Sequence, residues 1–259
     1  MANCKECGKP LILSGGKCIY CGASPYDILN NGHRGWSIKK AIDIVFCVDC
    51  SWPIAPVLDS IKDNIVHLIE DINQHNKEAR IVADWRARVM GVRNFEEDNE
   101  YLLNDNPFVS TLEEVKCQLS DIICKGYSEN SPMSSSIDAI WYAIETTDWR
   151  YKASANDEGV RDPNWLSYVV VFTASHPSPV NIKTITDLPA ADSETIVLVQ
   201  TLNVDHVKLT LFGPDDPVFK EMRVTPGSEI NLFEDPIEFY YHKRLDFSSI
   251  INSFDESLS

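Results

Sequence analysis

Along most of the chain, continuous apolar runs alternate with stretches in which apolar residues return every three or four positions. Asp43-Ile44-Val45-Phe46-Cys47-Val48 is of the first kind and reads as a strand covered on both faces, ending at Asp49. Pro53 and Pro56 then suit a helix's first turn, and Leu58, Ile61, Ile65, Leu68, Ile69 and Ile72 form its buried face. Arg86 to Phe95 reads as the next strand, followed by a turn at Glu96–Asn99 and a short antiparallel edge strand near Tyr101–Leu103. Leu112, Val115, Leu119, Ile122 and Ile123 mark a second helix, and Ile137, Ile140, Trp141 and Ile144 a third. After loop composition at Asn156 to Asn164, Ser167 to Thr173 is a second fully buried strand. Glu194 to Val204 reads as helix and Val207 to Gly213 as an alternating strand. Strands separated by helices predict an α/β fold: a doubly wound, mostly parallel sheet with one antiparallel edge strand.

Charge changes the picture by excluding partners. The 259 residues carry 23 Lys+Arg against 39 Asp+Glu, a formal net charge of −16, which argues against direct binding to nucleic acid or an anionic membrane. A hydrophobic share of 44% supports a packed core rather than disorder. The balance is uneven, because residues 1–40 hold six basic and two acidic side chains, a net +4 that leaves −20 on the remaining 219. This shift places a boundary near residue 40 and divides the chain into residues 1–24, a linker at 25–40 and a main domain at 41–259. No secretory pattern opens the chain and no apolar run approaches the roughly 18 residues of a membrane span, so a soluble, cytoplasmic protein is expected.

The amino-terminal segment carries the strongest motif. Cys4-x-x-Cys7 and Cys18-x-x-Cys21, each trailed by glycine at Gly8 and Gly22, have the spacing of four thiolates around one zinc. With all four positions filled by cysteine, no site remains for a catalytic water, and the ion is expected to be structural, replacing a core that so short a segment cannot build. Residues 1–24 therefore read as a small zinc ribbon. Cys47, Cys50, Cys117 and Cys124 lie in apolar stretches and read as core residues.

In doubly wound sheets, ligands sit beyond the carboxyl ends of the strands, which directs attention to Asp49-Cys50-Ser51-Trp52-Pro53, to Ala174-Ser175-His176-Pro177 and to the loop from Tyr127 to Ser136. With an apolar first strand ending in Asp49-x-Ser51, an edge hairpin and a later strand ending at Thr173, residues 40–255 resemble a von Willebrand factor type A domain. The resemblance implies a Rossmann-like fold and a metal-ion-dependent adhesion site in which Mg²⁺ binds a partner's carboxylate. Asp49 and Ser51 correspond to the first two ligands of that site, and Ser131, or Asn130 with a one-residue slip, to the loop ligand. Pro53 stands where a serine is expected and Ala174 where an aspartate is expected. One carboxylate and two neutral oxygens make a poor cage for a hard divalent ion. The site is therefore read as degenerate, without bound magnesium, and Asp49 and Ser51 are expected to cap the following helix instead.

A four-cysteine ribbon joined to such a domain is similar to bacterial TerY-type proteins, a resemblance that implies stress-response or phage-defence systems with kinase or phosphatase partners. The expectation is a non-catalytic protein-interaction adaptor or scaffold. An active Mg²⁺-dependent ligand binder is the alternative, and a metal-dependent hydrolase a third reading that lacks carboxylates poised for general-base work. Trp52 is a candidate partner-binding anchor or a lid on the vacated pocket, with core packing as the competing reading. His176, His67 and His75 read as exposed positions, the acidic run at Glu96-Glu97-Asp98 as a solvated turn, and the serine-bearing tail from Asp246 as a frayed terminus open to a kinase.

Overall fold

The computed structural model describes residues 13–14, 17–18, 38–78, 81–93, 102–124, 133–150, 165–177, 207–224, 227–242 and 244–253. Six strands form the main sheet: β1 (Ile38–Asp49), β2 (Ile81–Val92), β3 (Leu102–Asp105), β4 (Trp165–Phe172), β5 (Lys208–Pro214) and β6 (Glu229–Phe233). Their order is β6-β5-β4-β1-β2-β3, and all are parallel except β3, which runs antiparallel to β2. The helices are α1 (Leu58–Glu78), α2 (Leu112–Asp121), α3 (Ser136–Thr146), α4 (Pro217–Glu221), α5 (Pro236–His242) and α6 (Ser248–Asn252).

Alternate residues of β1 feed two separate cores. Ile42, Ile44, Phe46 and Val48 pack with Ile61, Ile65, Leu68 and Ile72 of α1 and with Tyr240 and Phe247 near the carboxyl terminus. On the other face Val45 and Cys47 pack with Ile137, Ile140 and Ile144 of α3 and with Trp149. Burying a large apolar side chain in this way stabilises the fold by about 1.5–3 kcal/mol per residue. Phe172 stacks on Phe212 with ring centroids 5.6 Å apart, while Phe247 meets both rings edge-on.

Several expected boundaries move. Pro53 and Pro56 lie in a 3₁₀ turn, Trp52–Val57, rather than in the first turn of α1; in an α-helix beginning at Trp52, Pro56 would be the fifth residue, beyond the first turn whose N–H groups need no ladder partner. β2 begins at Ile81, before the expected Arg86, because its twelve residues pair along the full length of β1. The edge strand is Leu102–Asp105, and α2 ends before Ile122 and Ile123, the latter being exposed. β5 does not alternate: Leu209 to Pro214 are all buried, since Phe212 packs into one core and Leu209 and Leu211 into the other. Cys47 and Cys50 are core residues as expected, whereas Cys117 is exposed and Cys124 half-buried. His67 is exposed, but His75 is half-buried.

The tail is partly ordered rather than frayed. α6 docks Ile250 and Ser253 into the body, where the fully buried Lys40 donates from Nζ to the Ser253 carbonyl at 3.1 Å and the Tyr168 hydroxyl bonds to that of Ser253. Residues 254–259, the acidic run at 96–98, the loop at 156–164 and the helix expected at 194–204 lie outside the described residues. Near the amino terminus, Leu13–Ser14 pairs antiparallel with Lys17–Cys18, so that Cys18 lies opposite Leu13; Cys4, Cys7 and Cys21 lie outside the described residues. No helix among the described residues is long and apolar enough to cross a membrane.

One buried ion pair ties the end of α3 to the sheet. Asp43, on the α3 side of β1, accepts from Arg86 Nε at 2.8 Å and from Arg150 Nε at 2.7 Å, and its Oδ2 also takes the Arg150 backbone N–H at 2.8 Å. Arg150 reaches on to the carbonyls of Ile42 and Asp84. A carboxylate held by two guanidinium groups is difficult to replace by an apolar residue, because both cations lose their partner at once. Asp43→Ala should lower the free energy of unfolding by about 3 kcal/mol in a urea titration; a loss below about 0.5 kcal/mol would show that the arginines find equivalent partners.

Candidate functional site

The first crossover of the chain leaves β1 toward β2, while β4 pairs with the opposite edge of β1. The strand order therefore reverses between β1 and β4, and a crevice at their carboxyl ends is where such sheets bind ligands. Asp49 closes β1, and Thr173 and Ser175 follow β4. A two-residue parallel pairing of Met133–Ser134 with His176–Pro177 draws the loop before α3 to the same place. The Ser135 N–H, which donates to the Arg93 carbonyl at 3.1 Å, pins that loop to the end of β2.

These elements assemble a buried carboxylate within a ring of hydroxyls. Asp49 Oδ1 accepts the Ser51 backbone N–H at 2.8 Å, and Oδ2 accepts the Thr173 hydroxyl at 2.7 Å. Having given its one proton to Asp49, the Thr173 oxygen accepts from the Ser175 N–H at 3.0 Å and lies 3.4 Å from the Ser134 hydroxyl, which fills its two lone pairs. Ser51 and Ser175 join their hydroxyls at 2.7 Å. Gly213 allows β5 this close to the site, since a Cβ there would sit 3.1 Å from Thr173 Cγ2. Beneath the ring, the buried Tyr240 hydroxyl lies 2.7 Å from the Phe212 carbonyl and 3.2 Å from that of Thr173.

Burial pushes the Asp49 carboxyl above its ordinary range, although hydrogen bonds from Ser51, Thr173 and Ser175 pull the other way. Desolvation also raises the neighbouring thiols, Cys47 and Cys124 each to about 12 and Cys50 further. These cysteines are protonated at neutral pH and are poor nucleophiles.

Asp49 and Ser51 do come together, but not as helix caps. Ser51 occupies the capping position of the 3₁₀ turn without a side-chain capping bond, because its hydroxyl is engaged by Ser175. Ser131 lies outside the described residues. Sequence reading singled out the segments that hold Ser134, Thr173 and Ser175 without assigning these three hydroxyls to the site; the signal for Thr173 and Ser175 was their position just after β4, and for Ser134 its place in the loop before α3. Trp52 is exposed over 49% of its surface and neither packs in the core nor closes the crevice as a buried lid. His176 is exposed and held by Asp216 at 2.8 Å, which leaves it away from the buried ring.

The described side chains of the ring fit a magnesium ion poorly. A hard octahedral cation favours several anionic oxygens. Among the described residues of the ring the only carboxylate, Asp49, already accepts hydrogen bonds on both oxygens, and Ala174 and Pro53 carry no side-chain oxygen. Among the described residues, no three His, Cys, Asp or Glu side chains group as a metal site.

Fold and site together define an α/β doubly wound protein with a buried carboxylate ringed by hydroxyls at its topological switch point. No family model matches the sequence, and no curated protein matches it either.

The raised Asp49 pKa has a definite sign in stability. The folded state holds this proton more tightly than the unfolded state, so the contribution is most favourable at low pH and is lost as pH rises from the ordinary value of 3.8 through the folded-state value. Relative to Asp49→Asn, the wild type's unfolding free energy should fall over that window in parallel urea titrations. A rise instead would mean that a cation holds the carboxylate ionised.

Proposed function

We propose that the protein is a non-catalytic interaction adaptor, in which a von Willebrand factor type A-like domain retains the position of a metal-ion-dependent adhesion site but works without the metal. The observation that carries this reading is the internal satisfaction of Asp49: both oxygens are bonded within the chain, by the Ser51 N–H and the Thr173 hydroxyl. An enzyme would need a poised base or nucleophile here, whereas among the described residues the ring supplies one buried acid and hydroxyls bonded to it and to one another. The strand order β6-β5-β4-β1-β2-β3 with its single antiparallel edge is in keeping with this fold.

The proposal extends to the amino terminus, where Cys4, Cys7, Cys18 and Cys21 hold one structural zinc ion. Four thiolates suit zinc, and the hairpin that carries Cys18 is the local structure a ribbon requires. The partners are proteins, with a kinase or phosphatase of a bacterial stress-response or phage-defence system as the class suggested by the TerY-type resemblance, and the setting is cytoplasmic. Ser248 and Ser249 are exposed and within reach of a kinase, whereas Ser253 is buried.

Metal analysis of the purified chain should give about one zinc per molecule and no stoichiometric magnesium. Loss of zinc on Cys4→Ser together with Cys7→Ser would assign the ligands; a zinc-free wild type would remove the ribbon from the proposal. The double substitution Pro53→Ser with Ala174→Asp returns the missing oxygens and should create a calorimetrically detectable Mg²⁺ site. Saturable Mg²⁺ binding by the wild type would instead favour the metal-dependent reading.

A further inference from the structure

At the carboxyl edge of the sheet one imidazole is fixed from two sides. His176 follows β4, and its backbone pairs with Met133 of the loop that leads into α3. Its Nδ1 lies 2.8 Å from Oδ2 of Asp216, which stands between β5 and α4. That carboxylate is itself held in place: Oδ1 accepts the Val218 N–H at 2.8 Å as the cap of α4, and the N–H of the preceding Asp215 donates to the Phe233 carbonyl at 2.9 Å. The Asp216 side chain is exposed over 14% of its surface, the imidazole over 51%.

An ionised carboxylate only accepts hydrogen bonds, so in the uncharged ring Nδ1 carries the proton and Nε2 keeps its lone pair. Among the described residues, Nε2 has no hydrogen-bond partner. The other exposed histidines described are set differently. His67 Nδ1 lies 3.3 Å from Glu70 on the same helix, both side chains being 46% exposed, and His242 meets only the ring of Tyr241. An imidazole with one nitrogen on a largely buried carboxylate and the other open is a nucleophile. The carboxylate fixes the tautomer and stabilises the positive charge that grows on the ring as Nε2 forms a bond. Metal binding needs further ligands, and no three His, Cys, Asp or Glu side chains among the described residues group to supply them. Covalent uptake of a transferred group needs only the nitrogen and access to it. In a water-exposed position an acylimidazole hydrolyses readily, whereas a phosphoryl group on an imidazole nitrogen persists longer at alkaline pH.

We propose that His176 Nε2 is a phosphoryl-acceptor site for a phosphoramidate-type donor, with Asp216 as its positioning residue. The Nε2 lone pair forms a bond to phosphorus as the donor's P–N bond breaks. The donor nitrogen, already protonated, leaves as ammonia or an amine, and Nδ1–H stays hydrogen bonded to Asp216 while the ring carries the positive charge. The adduct places negative charge at the carboxyl edge of the sheet without engaging Asp49. Because the chain receives the group stoichiometrically, the proposal does not depend on the adaptor reading.

The test incubates the full chain with potassium phosphoramidate at mildly alkaline pH. Peptide mass spectrometry follows each histidine, and ¹H–¹⁵N correlation of the imidazoles identifies the nitrogen modified. His176 should be phosphorylated on Nε2, about tenfold faster than His67 and His242 in the same sample. His176→Gln should abolish this adduct and leave the slower two unchanged. Asp216→Asn retains a good cap for α4 but no longer fixes the tautomer, so the His176 rate should fall to that of His67 and His242 with circular dichroism unchanged. Equal rates at the three histidines would overturn the proposal, as would a wild-type adduct on Nδ1 or a rate that Asp216→Asn leaves intact. The wild-type nitrogen assignment decides the matter even if either variant fails to fold.

Discussion

The removal of β1 from water on both faces is the constraint on which the rest depends. A strand in that position must have neighbours on each edge and helices on each side, and its alternate residues divide the interior into two cores. Every other feature of the crevice follows from where this strand ends. Asp49 is carried to the sheet's carboxyl edge at 2% exposure, and the energetic penalty of burying a carboxylate there has to be offset locally.

The local answer is hydrogen bonding rather than counter-charge. Thr173 and Ser175 come from the strand beside β1, and Ser134 from a loop stitched to the residues after that strand. Their hydroxyls and amides complete a network in which Thr173 has no spare proton or lone pair. Such a network stabilises the fold and fixes the crevice, but it leaves the carboxylate less available to a ligand. Elsewhere the chain meets a buried carboxylate differently: Asp43 is matched by two arginines. The contrast between Asp43 and Asp49 separates a structural ion pair from a site whose carboxyl group has, among the described residues, no cation bonded to it.

Much of the architecture is legible because burial on both faces writes itself into sequence as an unbroken apolar run. β1, β4, α1 and α3 were recognisable for that reason or for their helical spacing. β6 and the short helices α4 to α6 were not, since Glu229–Phe233 is half-buried and mixed in character, and helices of five to seven residues carry too few turns to show a period. The prolines of the Trp52–Val57 turn are compatible with either an α-helical or a 3₁₀ start, and the packing of α5 on the turn decides between them only in three dimensions.

The sequence by itself determined the α/β class, the mostly parallel sheet with an antiparallel edge, the placement of Asp49 and Ser51 at the end of the first strand, and the absence of carboxylates at Pro53 and Ala174. These are properties of local patterns and of single positions. Tertiary structure decided what Asp49 does, because its distant partners are Thr173 and Ser175, as far as 126 positions along the chain, and hydrogen-bond valence depends on geometry that no spacing encodes. It also decided that Trp52 faces solvent while Ile54 and Val57 of the same turn are buried, since exposure follows from how the turn packs and not from the hydrophobicity of the residue.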